Sequence, residues 1–194
     1  EMIRDQALFV SGLLSEKRFG MPVNPPQPDL GLKAAFGALT DWVTSPGEDK
    51  FRRGIYTSWR RSSPYASRAT FDAPTRELCT SRRIRTNTPL QALVTLNDPV
   101  YVEAAQALAR QSIEHGGDTV EDRIRYAWRS ALIRDPDQAE LQRLTDLFEL
   151  AKADFAAQPK EALTFATDPI GAAPDDLDPA ELAALTLVGN VILN

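Results

Sequence analysis

Four times in the second half of this chain a helix-capping residue is followed at once by proline: Thr88-Pro89, Asp98-Pro99, Asp135-Pro136 and Asp178-Pro179. The pairing has a direct physical meaning. The first backbone N–H groups of a helix have no partner inside it, so a proline placed first loses nothing, while the preceding oxygen accepts from the next turn. Three of the four also carry a glutamine or glutamate at the third helical position, Gln91, Gln138 and Glu181, which completes a capping box. Apolar residues follow each start at helical spacing. Leu90, Leu93, Val94 and Leu96 form a short stripe that Asn97 ends, and Val100, Ala104, Ala105, Leu108 and Ile113 form one that Gly116-Gly117 stops. Val120, Ile124, Ala127, Trp128, Ala131 and Leu132 make a third, and Leu141, Leu144, Leu147, Phe148, Ala151 and Phe155 a fourth, before Pro159. The last stripe holds Leu182, Leu185, Val188, Ile192 and Leu193, after a linker-like "ATDPIGAAPDDLDP". The spacings are irregular, so the scheme is shared capping chemistry and not a repeat.

The first half is less regular. "EMIRDQALFVSGLLSEK" opens in helical periodicity and predicts a helix that ends near Gly20. "MPVNPPQPD" must run extended, "GLKAAFGALTDWV" suggests a short helix, and "SPGEDK" is a turn. "RRGIYTSWRR" alternates as a short strand would, and Pro64 and Pro74 bound a loop. The expected fold class is mainly α: an irregular helical domain with long, ordered, Arg/Pro-rich loops and room for a short strand or hairpin. Residues 1–194 read as a single domain, with 50–88 as the Arg-rich loop segment and 89–194 as the helical part. A composition 43% apolar and 25% charged can bury a core of that size. The opening helix lacks a cap and "LVGNVILN" lacks a stop signal, so the chain reads as a fragment of a longer protein.

Cys79 and His115 are the single cysteine and the single histidine, which excludes an internal disulfide, a haem attachment motif and a thiolate or imidazole metal cluster. Cys79 reads as a buried thiol and His115 as a surface residue beside a helix end. No metal site and no cofactor are expected. No window is apolar enough to span a bilayer.

Charge is unevenly placed. Residues 50–85 hold ten basic side chains against Asp72 and Glu77, a local +8 inside a chain of net −5. Nine of the ten are arginine, whose planar fork grips carboxylate, sulfate or phosphate and stacks on aromatic faces. Two readings compete. In one, the arginines tie an irregular loop to backbone carbonyls and acidic side chains. In the other they form a binding surface for an anionic polymer, with Tyr56 and Trp59 as stacking platforms and Arg60, Arg61, Arg82, Arg83, Arg85 and Asn87 as grips. A net acidic chain without a nucleic-acid motif is not expected to bind nucleic acid. Asp72 and Glu77 could serve as a general acid–base pair, but carboxylates placed among arginines are more often ion-paired. Capping explains Thr88, Pro89 and Gln91. It leaves unexplained why Arg82, Arg83 and Arg85 precede a helix N-terminus, where positive charge is unfavourable without an anion.

The run "RRGIYTSWRRSSPYASRATFDAPTRELCTSRRIRTNTPLQALVTLNDPVYVEAA" resembles a planctomycete-specific domain of unknown function, which closes large multidomain proteins that often carry a planctomycete cytochrome-c-like domain. The resemblance rests on Arg52, Arg53, Tyr56, Trp59, Pro64, Phe71, Asp72, Pro74, Arg76, Glu77, Cys79, Arg82, Arg83, Arg85, Asn87, Pro89, Gln91, Asn97 and Pro99. It implies an exported protein of the periplasm or cell envelope, with haem only on a different domain, and it brings no activity and no catalytic residue. The expected function is therefore an interaction or scaffold module whose partners are other domains of the same polypeptide. The alternative is binding or processing of a sulfated or uronic polysaccharide through the Arg/aromatic loop.

Overall fold

A computed structural model describes residues 1–28, 42–60, 64–76, 78–173 and 177–194. Eight α-helices lie among them: α1 (Met2–Val10), α2 (Ala66–Thr70), α3 (Pro89–Asn97), α4 (Pro99–His115), α5 (Val120–Leu132), α6 (Gln138–Ala157), α7 (Pro159–Thr167) and α8 (Pro179–Leu193). Short 3-10 turns occupy Gly47–Phe51 and Gly54–Tyr56. The domain is mainly α, as its periodicity implies.

The capping chemistry sets the helix starts. Asp98 accepts from Val100 N at 3.0 Å and Asp178 from Ala180 N at 3.1 Å. Gln91 reaches back to the Thr88 amide at 3.3 Å. The start expected at Asp135-Pro136 lies two residues later. Asp137 accepts from Glu140 N at 2.7 Å while Glu140 accepts from Asp137 N at 2.8 Å, a complete reciprocal box. Arg134 clamps the same glutamate at 2.6 and 2.7 Å, and that contact first, then the Asp137 amide, draws the Glu140 carboxyl down to about 2. Pro159 does more than stop α6. It opens α7, a helix the sequence reading missed because Pro159 looked like a terminator.

Helix α8 is the central element. Ten of its fifteen residues are buried, and α4, α5, α6 and α7 pack around it. Gly189 lets α4 come close: a Cβ there would stand 3.2 Å from the Ala105 carbonyl. Leu108, Ile124, Leu144, Phe148, Leu182 and Val188 fill the space between these helices. A side chain such as Phe148, fully buried, contributes roughly 2–3 kcal/mol by removal from water. Two buried polar side chains of this core donate to backbone carbonyls. Thr186 donates back to Leu182 O at 2.8 Å, and Gln106 donates to Phe165 O and Asp168 O, satisfying the end of α7. Glu181, in the first turn of α8, holds Arg123 at 2.7 Å and Lys152 at 2.9 Å, so three helices meet on one carboxylate beside a helix N-terminus.

The first half is a second layer, laid over α1 and α4. Two expectations change here. The opening helix stops at Val10, not near Gly20, because Gly12 turns left-handed (φ +70°) and the Leu13 and Leu14 amides fold back onto Leu8 O. The segment read as a strand is a 3-10 turn at Gly54–Tyr56, and among the described residues it makes only isolated parallel bridges, Ser15 to Arg52 and Val23 to Thr57. The helix suggested in "GLKAAFGALTDWV" lies almost wholly outside the described residues. Among those described, no helix is long and apolar enough to cross a membrane.

Candidate functional site

The arginines that do structural work are the buried ones. Arg4 sits on the same face of α1 as Ala7 and Leu8 and is 4% exposed. Its guanidinium donates to Arg52 O at 2.9 Å and Lys50 O at 2.8 Å, so α1 is pinned to the 50–52 turn through two backbone carbonyls. Arg52, 2% exposed, spreads its fork over the carbonyls of Lys17, Phe19 and Met21 and lies 4.0 Å above the Tyr56 ring. Asp5 accepts from Gly54 N at 2.6 Å and faces Arg53 at 3.7 Å. Lys50 reaches Glu103 on α4 at 2.8 Å. An irregular backbone, short of regular pairing, is held here by side-chain donors.

Beside these staples, and sharing Arg4 with them, lies a cavity of ≈ 630 Å³. Its wall includes Arg4 and Ile3 from α1, Ser67 and Arg68 from α2, Tyr101 from α4, and Arg83 and Arg85 from the loop before α3. Arg68 is 6% exposed, and its Nε and Nη2 groups have no hydrogen-bond acceptor. Burial accordingly pulls its guanidinium below the ordinary arginine range, with the Glu1 carboxylate acting in the opposite sense. Tyr65, also in the wall, is fully buried, donates its hydroxyl to Pro26 O at 3.2 Å and stacks on Trp42. Burial raises the Tyr101 hydroxyl to about 12, with Ser67 3.4 Å away. Smaller than this space is an adjoining pocket of ≈ 410 Å³ that shares Ile3, Phe71 and Gln91 with it and includes Asn87 and Asn194.

The residues singled out from the sequence divide clearly. Arg83 and Arg85 border the large cavity, and Asn87 the small one, whereas Arg82 is an exposed neighbour on the loop. Arg83 meets Glu1 at 3.1 Å, and that hydrogen bond is the main cause of the lowered Glu1 carboxyl. One anion that offsets the basic loop is therefore a helix-α1 neighbour, not a loop residue. Among the described residues Asp72 is not paired with an arginine. It accepts from the Thr86 amide at 2.7 Å and from the Thr86 hydroxyl, with Gln91 nearby, and these donors hold its carboxyl below the usual range. That arrangement staples a turn, Asp72 itself having φ +58°. Arg52 lies over one face of the Tyr56 ring, and Arg76 over one face of the Trp59 ring at 5.1 Å. Arg60 is exposed. Arg61 and Glu77 lie outside the described residues. Cys79 is exposed, contrary to the buried thiol expected, because the loop from Leu78 to Thr88 runs over the surface without helix or strand. His115 is half-exposed against Glu114 and Tyr126. Among the described residues no three of His, Cys, Asp and Glu converge into a metal-holding group.

Arg4, Arg68 and Tyr101 were missed as site residues. For Arg4 the signal was legible: an arginine on the apolar face of an amphipathic helix, where a charge needs a partner. Arg68 and Tyr101 come together only through the packing of α2 on α4, which no local pattern encodes.

Burial acts strongly on the Asp98 carboxyl. Asp98 is the N-cap of α4, 3% exposed, and burial raises its carboxyl to about 6 despite the Val100 amide and Arg4. Its folded value lies above its unfolded one, so stability is lost as pH rises from about 4 to 6. At neutral pH the deficit is roughly 3 kcal/mol at most, two units at 1.36 kcal/mol each. Asparagine caps as well as aspartate and carries no charge. Asp98→Asn is therefore expected to be more stable than the parent by about 1–3 kcal/mol at pH 8 and no more stable at pH 4, read by urea unfolding at both. A variant weaker at pH 8 would mean that Arg4 needs the Asp98 charge.

The class defined by these features is a mainly α-helical domain bearing an arginine-stapled loop layer around a basic cavity. Its family is known from sequence alone: the chain belongs to PSD1, proteins of unknown function (DUF1553), which matches residues 1–148. No curated protein and no solved structure matches the chain.

Proposed function

We propose that this PSD1 domain is a non-catalytic interaction module of an exported, multidomain protein of planctomycete-type bacteria, acting in the periplasm or cell envelope. Its partners in this reading are other domains of the same polypeptide. One observation carries it. The surface segment 78–93 combines Arg82, Arg83 and Arg85 with large apolar side chains left in water: Leu78, Ile84, Leu90 and Leu93, each more than half exposed. Arginine among apolar groups is the composition of an interface centre, and the exposed apolar surface is unfavourable until covered. The test compares amide hydrogen exchange in this chain and in the full polypeptide. Slower exchange over residues 78–93 in the full polypeptide is the expected result, and equal exchange there would refute intramolecular docking.

A second reading, recognition of a sulfated or uronic polysaccharide, is favoured by the basic cavity and not by the aromatic residues. The Tyr56 and Trp59 rings already carry guanidinium groups on a face.

A further inference from the structure

We infer that the pocket of ≈ 410 Å³ where α1, α3, α5 and α8 meet seats one bulky apolar side chain of an extended, acidic peptide segment, whose carboxylates lie against Arg82 and Arg85. This partner deepens the docking reading above and rests on it only for placing the segment in the same polypeptide. Ile3, Phe71, Leu132 and Leu193 give the pocket its apolar wall, and Ile3 and Leu132 are each 44% exposed. Large apolar groups left half in water around a concavity favour a ligand that covers them. Asn87 and Ala92, from the segment already read as an interface, complete the rim.

The polar groups select a peptide. Gln6 on α1 and Asn87 before α3 line the pocket, and their carboxamides have no hydrogen-bond partner among the described residues. A carboxamide offers an acceptor and N–H donors, the same complement that an extended backbone presents along its edge. Such pairing holds main chain while a pocket reads a side chain. A membrane surface would cover both carboxamides without pairing them, at a cost in free energy. Charge then sets the composition. Arg83 is met by Glu1, whereas Arg82 and Arg85 are exposed and meet no carboxylate among the described residues. The larger cavity, bordered by Arg83 and Arg85, shares Ile3, Phe71 and Gln91 with this pocket, so an extended segment anchored here leads onto the basic loop. Carboxylates on that segment match the guanidinium forks and offset the like charge gathered on the loop.

The experiment pans a random peptide library displayed on phage against this chain, then titrates the most enriched peptide, fluorescein-labelled, by anisotropy. Enrichment of sequences with leucine, isoleucine or phenylalanine flanked by aspartate or glutamate is expected. Ala92→Leu, which fills the pocket from an exposed helical position, should abolish binding and leave thermal unfolding unchanged. Asn87→Ala should weaken binding about threefold, the loss of one hydrogen-bonding group. Arg82→Glu combined with Arg85→Glu should weaken it about tenfold or more, and panning on that variant should enrich lysine and arginine instead. No shared sequence among the enriched peptides, binding that survives Ala92→Leu, or acidic enrichment on the charge-reversed variant would each overturn the assignment. Alginate binding more tightly than the selected peptide, and lost in Ala92→Leu, would give the pocket to a uronic polymer and overturn it too. Slower exchange over residues 78–93 in the full polypeptide without an acidic consensus would keep the docking reading and discard this partner. An acidic consensus without slower exchange would keep the pocket and place its partner on another chain.

Discussion

Replacing Lys50 by methionine is expected to destabilise the domain by about 3 kcal/mol or more, the usual consequence of removing one partner from a buried ion pair. Lys50 Nζ stands 2.8 Å from Glu103 Oε1, and the Glu103 side chain is 3% exposed. The other Glu103 oxygen has no partner, so Lys50 is the principal compensation for a carboxylate deep against α4. Methionine keeps the length and the contact with Phe51 but leaves the charge uncompensated. The Lys50 carbonyl, which accepts from Arg4, is untouched by the change. Urea unfolding of the parent, Lys50→Met, Glu103→Leu and the double variant separates the effects. The double variant should recover most of the lost stability, because apolar replacement of both partners is often neutral. A single-variant loss below about 1 kcal/mol would mean that water reaches Glu103 and that the pair is a surface one.

This pair also marks the limit of what the sequence made legible. The helices from α3 onward, α7 excepted, could be read because capping and apolar period are local: Asp98, Val100 and Leu108 announce α4 without reference to anything distant. Even the errors there were local. Asp135 lost to Asp137 because two candidate caps competed and the one with Glu140 at its third position closed a complete box. The loop layer is different in kind. Lys50 and Glu103 are 53 residues apart, and Arg4 and Arg52 are 48 apart, so no window contains both members of either contact. The basic excess over residues 50–85 was visible, but a charge count cannot distinguish a guanidinium consumed by carbonyls from one facing a cavity. Arg52 and Arg68 have nearly equal burial and opposite circumstances: one is saturated, the other unpartnered.

Arg52→Lys is expected to have the second large effect, about 2–4 kcal/mol, although it preserves charge. The guanidinium meets three backbone carbonyls, those of Lys17, Phe19 and Met21, from one rigid plane while stacking on Tyr56. A lysine ammonium is a single point of donation on a flexible stem. It cannot reach three carbonyls spread over five residues, and it forfeits the stacked face. The unmet carbonyls would be those of a segment with few other ties, chiefly Ser15 N to Phe51 O, Val23 N to Tyr56 O and Ser58 N to Val23 O. Loss should therefore be felt first as local opening of residues 15–23 and only then as global unfolding. Amide exchange at Ser15 and Val23 should quicken well beyond that of α8, whose core packing does not involve Arg52. Uniform acceleration across the chain would instead show that the loop layer and the helical core unfold as one cooperative unit. In that case the arginine staple is part of the domain's folding core, and substitutions at Arg4, which binds the same turn from the other side, should reproduce the effect in full.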